Sequence, residues 1–299
     1  MTRCFRRAYL PNSTPSAFLF LPMNSLVKSP PIGEAREREL LKDATTYVYR
    51  ETAQGPLHVH LFFPADWSPD DRRPGVLFFH GGLWEAPMPT QFVPHALHFA
   101  HRGAIGITVE TRTFNSHRTG PMEAIEDAHG LLLWLTENAS YLGLDAARIV
   151  LGGAFGGAFL ALSHGMLAEQ PAAIAPPAAM ILFSPLVNTT PKGLASERFP
   201  DLKTAKKLSP TALIRKKLPP SIIFQGAADR TLPLEHVERF AKGMRRKRNR
   251  CDFIEFPGAE HSFFNFNVSQ HHFELTLRDA DRFLVDLGLL APEIGEDLD

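Results

Sequence analysis

The chain has 299 residues, 44% of them hydrophobic and 21% charged, with 32 Lys and Arg balanced by 32 Asp and Glu. This is the mixture of a folded domain of ordinary size, and a formal charge of zero argues against nucleic acid or an anionic membrane as partner. Two cysteines, Cys4 and Cys251, can frame neither a disulfide scaffold nor a zinc site.

Residues 1–44 read as a poorly ordered tail or a degenerate export signal. MTRCFRR is basic, but AFLFLPM is short, is interrupted by Pro22 and lacks a small-residue cleavage site. Cytoplasmic and exported locations both stay open, and no segment has the length of a membrane span. From residue 46 the pattern becomes regular. TYVYRE and LHVHLFF alternate around QGP as an antiparallel hairpin. GVLFFH (75–80) is a continuous apolar run ending in glycines, the mark of a buried central strand. A helix follows through QFVPHALHFAHRG, then a strand over 104–110 and a helix over 122–143 between Pro121 and Gly143.

IVLGG (149–153) predicts a strand and 156–170 a helix; AAMILFSP (178–185) and SIIFQG (221–226) predict two more strands. The chain closes on helix LEHVERFAKGMRRK, strand CDFIEF and a helix over 273–288. Strands alternating with helices predict one α/β domain over 45–290, a mostly parallel, doubly wound sheet with helices on both faces. Residues 187–219 break the rhythm, rich in Pro and Lys, and read as a short cap over the carboxyl edge of the sheet. Residues 291–299 form an acidic tail. The basic run RRKRNR (245–250) reads as a solvated helix end. His58 with His60, and His98 with His101, have metal-like spacing but no carboxylate nearby in sequence, so no metal or other cofactor is expected.

Ester hydrolysis needs a nucleophile, a base, a carboxylate to orient the base and donors for the oxyanion. HGGLW (His80, Gly81, Gly82, Leu83, Trp84) ends the first buried strand, where glycines let backbone N–H groups approach a substrate oxygen. Asp229 in GAADRTLP follows a later strand. His261 in PGAEHSFFNF follows the last, 32 residues on, and is a candidate base. The order of oxyanion loop, strand–helix turn, acid and histidine is that of serine hydrolases with an α/β sheet.

At this point the chain resembles the α/β-hydrolase fold esterases related to hormone-sensitive lipase and the small acetyl esterases. HGGLW is similar to their HGGGW, VETR (109–112) to a strand ending in Tyr-Arg, and EDAHGLLLWLTENASYLGLDAARIVLGG to the approach to the nucleophile. LPPSIIFQGAADRTLPLEHVERFAKGM and GAEHSFFNF are similar to the acid and histidine segments, so the likeness runs over about 46–290. It implies the α/β-hydrolase fold and hydrolysis of carboxylic esters, with a small ester or acylated sugar as substrate. Oligomeric state is not implied.

The likeness fails at the turn. The family's G-x-S-x-G-G reads GGAFGG here, which taken literally puts the nucleophile position at Ala154. Counting seven residues from Arg148 points to Phe155 instead, with the glycine pair one residue early, as though a serine had been deleted between the two. Either way no hydroxyl or thiol stands at the turn. Ser163 falls within a helix and Ser184 at the end of another strand, and neither is expected beside the histidine on a strained turn. Leu83 replaces a glycine of the oxyanion loop and, with Phe155, is expected to shape the acyl site. Three readings follow: an esterase-family protein with activity absent or vestigial; an active hydrolase that uses water or another nucleophile; and a binding or scaffold protein built on the hydrolase fold.

Overall fold

The structure, a computed structural model, describes residues 6–8, 34–167 and 174–292. Its nine strands are β1 (Arg6–Ala8), β2 (Thr45–Thr52), β3 (Gly55–Phe62), β4 (Arg73–Phe79), β5 (Ile105–Val109), β6 (Leu144–Phe155), β7 (Ala179–Pro185), β8 (Ser221–Gly226) and β9 (Cys251–Phe256). They form one sheet in the order β1-β9-β8-β7-β6-β4-β5-β3-β2. Only β2 with β3 and β3 with β5 are antiparallel; every other pair is parallel. The central strands are buried from end to end because helices cover both faces, which is why their sequences are apolar runs rather than alternations.

The helices are α1 (Glu34–Leu40), α2 (Val93–His101), α3 (Phe114–His117), α4 (Pro121–Glu137), α5 (Gly156–Met166), α6 (Leu202–Lys207), α7 (Leu234–Arg246) and α8 (Gln270–Asp286). Alternate residues of β4 divide between two cores. Leu77 and Phe79 meet α4, α5 and α7 through Leu131, Phe159 and Phe240. Val76 and Phe78 meet α2 and α8 through Phe99, Phe273 and Phe283. A mostly parallel, doubly wound sheet of this kind leaves its functional loops at the carboxyl ends of the strands.

Several boundaries differ from the sequence reading. The helix expected over 122–143 stops at Glu137, and Gly143, with φ 61°, turns the chain into a twelve-residue β6. The helix expected to reach 170 ends at Met166, with 168–173 outside the described residues. Inside the segment read as a tail, β1 pairs with β9 and α1 precedes the hairpin; the other residues before 34, and 293–299, lie outside the described residues.

The stretch 187–219 holds α6 between two 3-10 turns, Ser196–Arg198 and Pro210–Leu213. It lies against the HGGLW loop: Arg198 pairs with Glu85, and Phe199 packs edge-on against Trp84, ring centres 6.1 Å apart. The histidine pairs do meet carboxylates, brought by the fold from distant sequence. Glu110 reaches His58 at 2.8 Å and His60 at 3.9 Å, and Asp281 reaches His98 at 3.3 Å. Among the described residues no group of three His, Cys, Asp or Glu could hold a metal ion. Nor is any described helix long and apolar enough to cross a membrane.

Candidate active site

The turn from β6 into α5 is sharp. Phe155 closes the strand with φ 49° and ψ −109°, and α5 starts at the next residue. A positive φ at a bulky side chain is a strained conformation that needs firm support from its surroundings. Two glycines supply the room. A Cβ at Gly156 would lie 2.2 Å from the Gly82 carbonyl oxygen, and one at Gly157 would lie 2.2 Å from that of His80. The turn can therefore press against the HGGLW loop only because both positions lack a side chain. The strained apex falls on Phe155 and not on Ala154, whose methyl packs among the buried residues beside Gly81. Gly153, Ala154, Phe155, Gly156 and Gly157 then have the spacing G-x-F-x-G with no residue missing. With Phe155 at the apex, the early glycine pair supplies the variable position and the closing glycine of that spacing.

Asp229 and His261 come together. Asp229 follows β8, and its fully buried carboxylate accepts His261 Nδ1–H at 2.7 Å. It also accepts the backbone N–H groups of Thr231 (2.9 Å) and Leu232 (2.8 Å) and the Gln225 side-chain amide (3.1 Å). Burial alone would push this carboxyl up, but the His261 bond and the two backbone donors outweigh it and hold the group below its usual range. An ionised carboxylate only accepts, so the His261 proton sits on Nδ1 and Nε2 is left as the basic nitrogen.

The side chain opposite that imidazole is Phe155. Ring centres are 4.8 Å apart at 83°, an edge-to-face contact, where a serine-dependent site needs a hydroxyl within hydrogen-bond reach. Ser184, expected away from the histidine, lies close by. It is fully buried with φ 39°, and its hydroxyl donates to the His261 backbone carbonyl at 3.3 Å. It meets the main chain and not the imidazole, so it fixes the loop. No local pattern announces this, because β7 is irregular there: Ala154 pairs with Phe183 but Phe155 pairs with Pro185.

Two backbone donors at the HGGLW loop are engaged. Gly156 N–H donates to the Gly82 carbonyl at 3.0 Å, and Gly81 N–H donates to Gln91 Oε1 at 2.6 Å. Gln91 Nε2 in turn donates to Asn265 Oδ1 at 3.1 Å, joining this loop to the segment that carries His261. Gly82 has φ 89°, and Leu83 packs partly buried at the edge of the core. His80 and Trp84, expected to meet substrate, turn inward at 6% and 3% exposure. Burial holds the His80 imidazole below its ordinary pKa, against the bond to the Gly81 carbonyl. Trp84 stacks edge-on against Phe159 with ring centres 5.4 Å apart.

An unforeseen support is Asp127 on α4, fully buried, which takes the Arg112 backbone N–H at 2.8 Å, the Arg112 guanidinium at 2.8 Å and Arg50 at 3.0 Å. It pins the segment after β5, at whose far end Phe114 N–H reaches the Trp84 carbonyl at 2.8 Å. VETR and EDAH carried that signal in sequence, but only as a likeness and not as a pair.

Comparison with known proteins agrees with this architecture. The profile of the alpha/beta hydrolase fold family matches residues 76–265. Esterase LipC of Mycobacterium tuberculosis is 22% identical over 223 residues, covering 65% of this chain and 54% of LipC. Carboxylesterase NlhH of the same species is 32% identical over 108 residues, 35% of this chain and 33% of NlhH. The chain thus spans about half, or less, of the length of these curated relatives. The propionate-bound structure of the esterase Est2 from Thermogutta terrifontis superposes with a TM-score of 0.79 at 35% identity, over 85% of this chain and 98% of that one. Its form phosphorylated by paraoxon gives 0.78 at 35% identity, over 85% and 97%. A sheet, loop order and sequence likeness that coincide over most of the described residues make this chain a member of the α/β-hydrolase fold family, among its carboxylesterase-like proteins.

Proposed function

We propose that this protein keeps the frame of a carboxylesterase while ester hydrolysis is absent or vestigial, because Phe155 stands where the attacking hydroxyl is required. One observation carries the reading: the residue with the strained backbone of the turn is the one whose ring covers His261. A phenyl ring offers no lone pair to a carbonyl carbon and no proton to the imidazole. Engagement of the Gly156 N–H by Gly82 weighs the same way, since a missing oxyanion donor costs about 3 kcal/mol of transition-state stabilisation. The ligand class is a small ester or acylated sugar. In its support, the structurally similar Est2 is a propionate-bound and a butyrate-bound esterase in two of its structures.

The test is hydrolysis of p-nitrophenyl acetate. The wild-type protein turns over no faster than His261→Ala, and paraoxon leaves no covalent label. Phe155→Ser acquires both turnover and labelling, more than Ala154→Ser or a serine inserted between residues 154 and 155. Ordinary esterase rates in the unaltered chain, or a labelled side chain in its site, overturn the reading.

A second reading rests on the intact Asp229–His261 bond. With Nε2 basic, His261 would deprotonate a water for direct attack, and groups that survive without the nucleophile can sustain roughly 10³–10⁴-fold catalysis over water. Slow wild-type turnover that His261→Ala removes, with no covalent intermediate, selects this reading.

A further inference from the structure

The fold changes the meaning of the basic run at the end of α7. Residues 245–250 and the distant loop 215–220 meet at the amino-terminal ends of β8 and β9, across the sheet from Asp229 and His261. Between them is an open cleft of about 320 Å³. Lys216, Lys217, Lys247, Arg248 and Arg250 line it, and no carboxylate does. In a chain of zero formal charge this is a marked segregation of one sign.

We propose that this cleft binds a small organic phosphate with at least two negative charges. The site is built rather than a chance meeting of surface side chains. Asn249, 7% exposed, accepts Leu218 N–H at 3.0 Å and donates to the Arg215 carbonyl at 2.7 Å, stapling the two segments together. Ser221 N–H reaches the Arg250 carbonyl at 3.1 Å and seals the base. Lys217 and Arg248 have φ 61° and 64°, a backbone that glycine adopts at lower cost, yet long cations stand there.

Among the described residues Lys216, Lys217, Lys247 and Arg248 have no carboxylate partner, whereas Arg250 is held by Asp252 (3.0 Å) and Asp286 (3.1 Å) over the Phe283 ring. Four cations without a carboxylate partner, two from each segment, suit a phosphate, which accepts several charge-assisted hydrogen bonds at once. The organic part is assigned from the floor, where Leu218 and Pro220 offer an apolar surface that a bare inorganic ion would not use. The site is independent of the state of Phe155.

Isothermal titration at constant ionic strength tests this, with ADP as the organic diphosphate and inorganic pyrophosphate as the bare one. Saturable binding is expected for both, tighter for ADP. Lys217→Gly with Arg248→Gly removes two cations and relieves the backbone, so the fold is kept while affinity falls about tenfold for each cation lost. Lys242→Gln, outside the cleft, leaves affinity unchanged.

Equal affinity for the two probes overturns the organic assignment. Absence of saturation, or affinity unaltered in the double variant, overturns the site. A long duplex RNA that binds more tightly than ADP and loses affinity in the same double variant replaces it with a polymer surface.

Discussion

On one side of the candidate active site, β6 and its turn hold a strained backbone at the apex and present a phenyl ring to His261. On the other, the loops after β8 and β9 keep both the shape and the chemistry, with Asp229 fully buried, four donors around its carboxylate and His261 held at 2.7 Å. The two halves depend on different physics. The turn depends on what Gly156 and Gly157 lack, the side chains that would strike the HGGLW loop. The acid–histidine pair exists only through specific polar atoms, and each of those is present. The half that stores backbone strain presents a phenyl ring, and the other half presents a hydrogen-bonded acid and imidazole.

Four experiments break or sharpen this contrast. The largest effect is expected from Phe155→Ser: a gain of about 10³-fold in p-nitrophenyl acetate hydrolysis, erased when His261→Ala is added. If the serine alone gives nothing, the shape of the turn is insufficient and the engaged Gly156 N–H is the deeper defect. Next, Gly157→Ala should destabilise the protein by about 3 kcal/mol or more in urea unfolding, because its methyl would sit 2.2 Å from one carbonyl oxygen and 2.4 Å from another. A near-neutral result would show that the turn does not rely on close backbone approach.

The third experiment attacks the ground beneath the histidine loop. His95 is fully buried between Phe92, Phe183 and Phe273, and Phe264 of that loop packs on Phe92 and Phe183. Burial first, and then His98, hold the His95 pKa down to about 3. The fold therefore rejects its proton. Stability is full above the unfolded value near 6.5 and is lost as pH falls from there towards 3, by about 2 kcal/mol at pH 5. His164, held at about 4 by burial, adds a loss of the same sign. Urea unfolding at pH 7 and pH 5 measures the slope, and His95→Leu should flatten it by about one proton. The smallest effect belongs to Ser184→Ala, about 1 kcal/mol in stability. That substitution should leave the repaired Phe155→Ser enzyme within a few-fold of its rate; loss of that activity would give the Ser184 hydroxyl a part in the chemistry.

Most of the sheet was legible because buried parallel strands are apolar runs closed by glycines, as GVLFFH and SIIFQG are. Asp229 and His261 were legible because each follows such a run in the chain order of a known arrangement. The apex of the turn was harder to place. With glycines at 152, 153, 156 and 157, two registers fit the pattern, and only the backbone angle at Phe155 separates them. Contacts between distant segments left no local trace. Nothing near His58 names Glu110, nothing in RRKRNR names Lys216 and Lys217, and nothing in LFSP announces that Ser184 will turn towards the histidine loop. His80 and Trp84 were expected at the site for the company they keep in HGGLW, but an imidazole and an indole next to glycines can equally well be the filling behind them, and here they are.

Gln91 ties the HGGLW loop and the histidine loop together as a single mechanical unit. Its oxygen is committed to Gly81 and its nitrogen to Asn265, four residues past His261, so neither loop can shift without straining the other's anchor. A molecule that settles against Gly81 and claims its N–H would free Gln91 and slacken the imidazole's own support. Occupancy beside Gly81 would then be felt at the histidine loop through one amide, whether or not any bond in the occupant is ever cut.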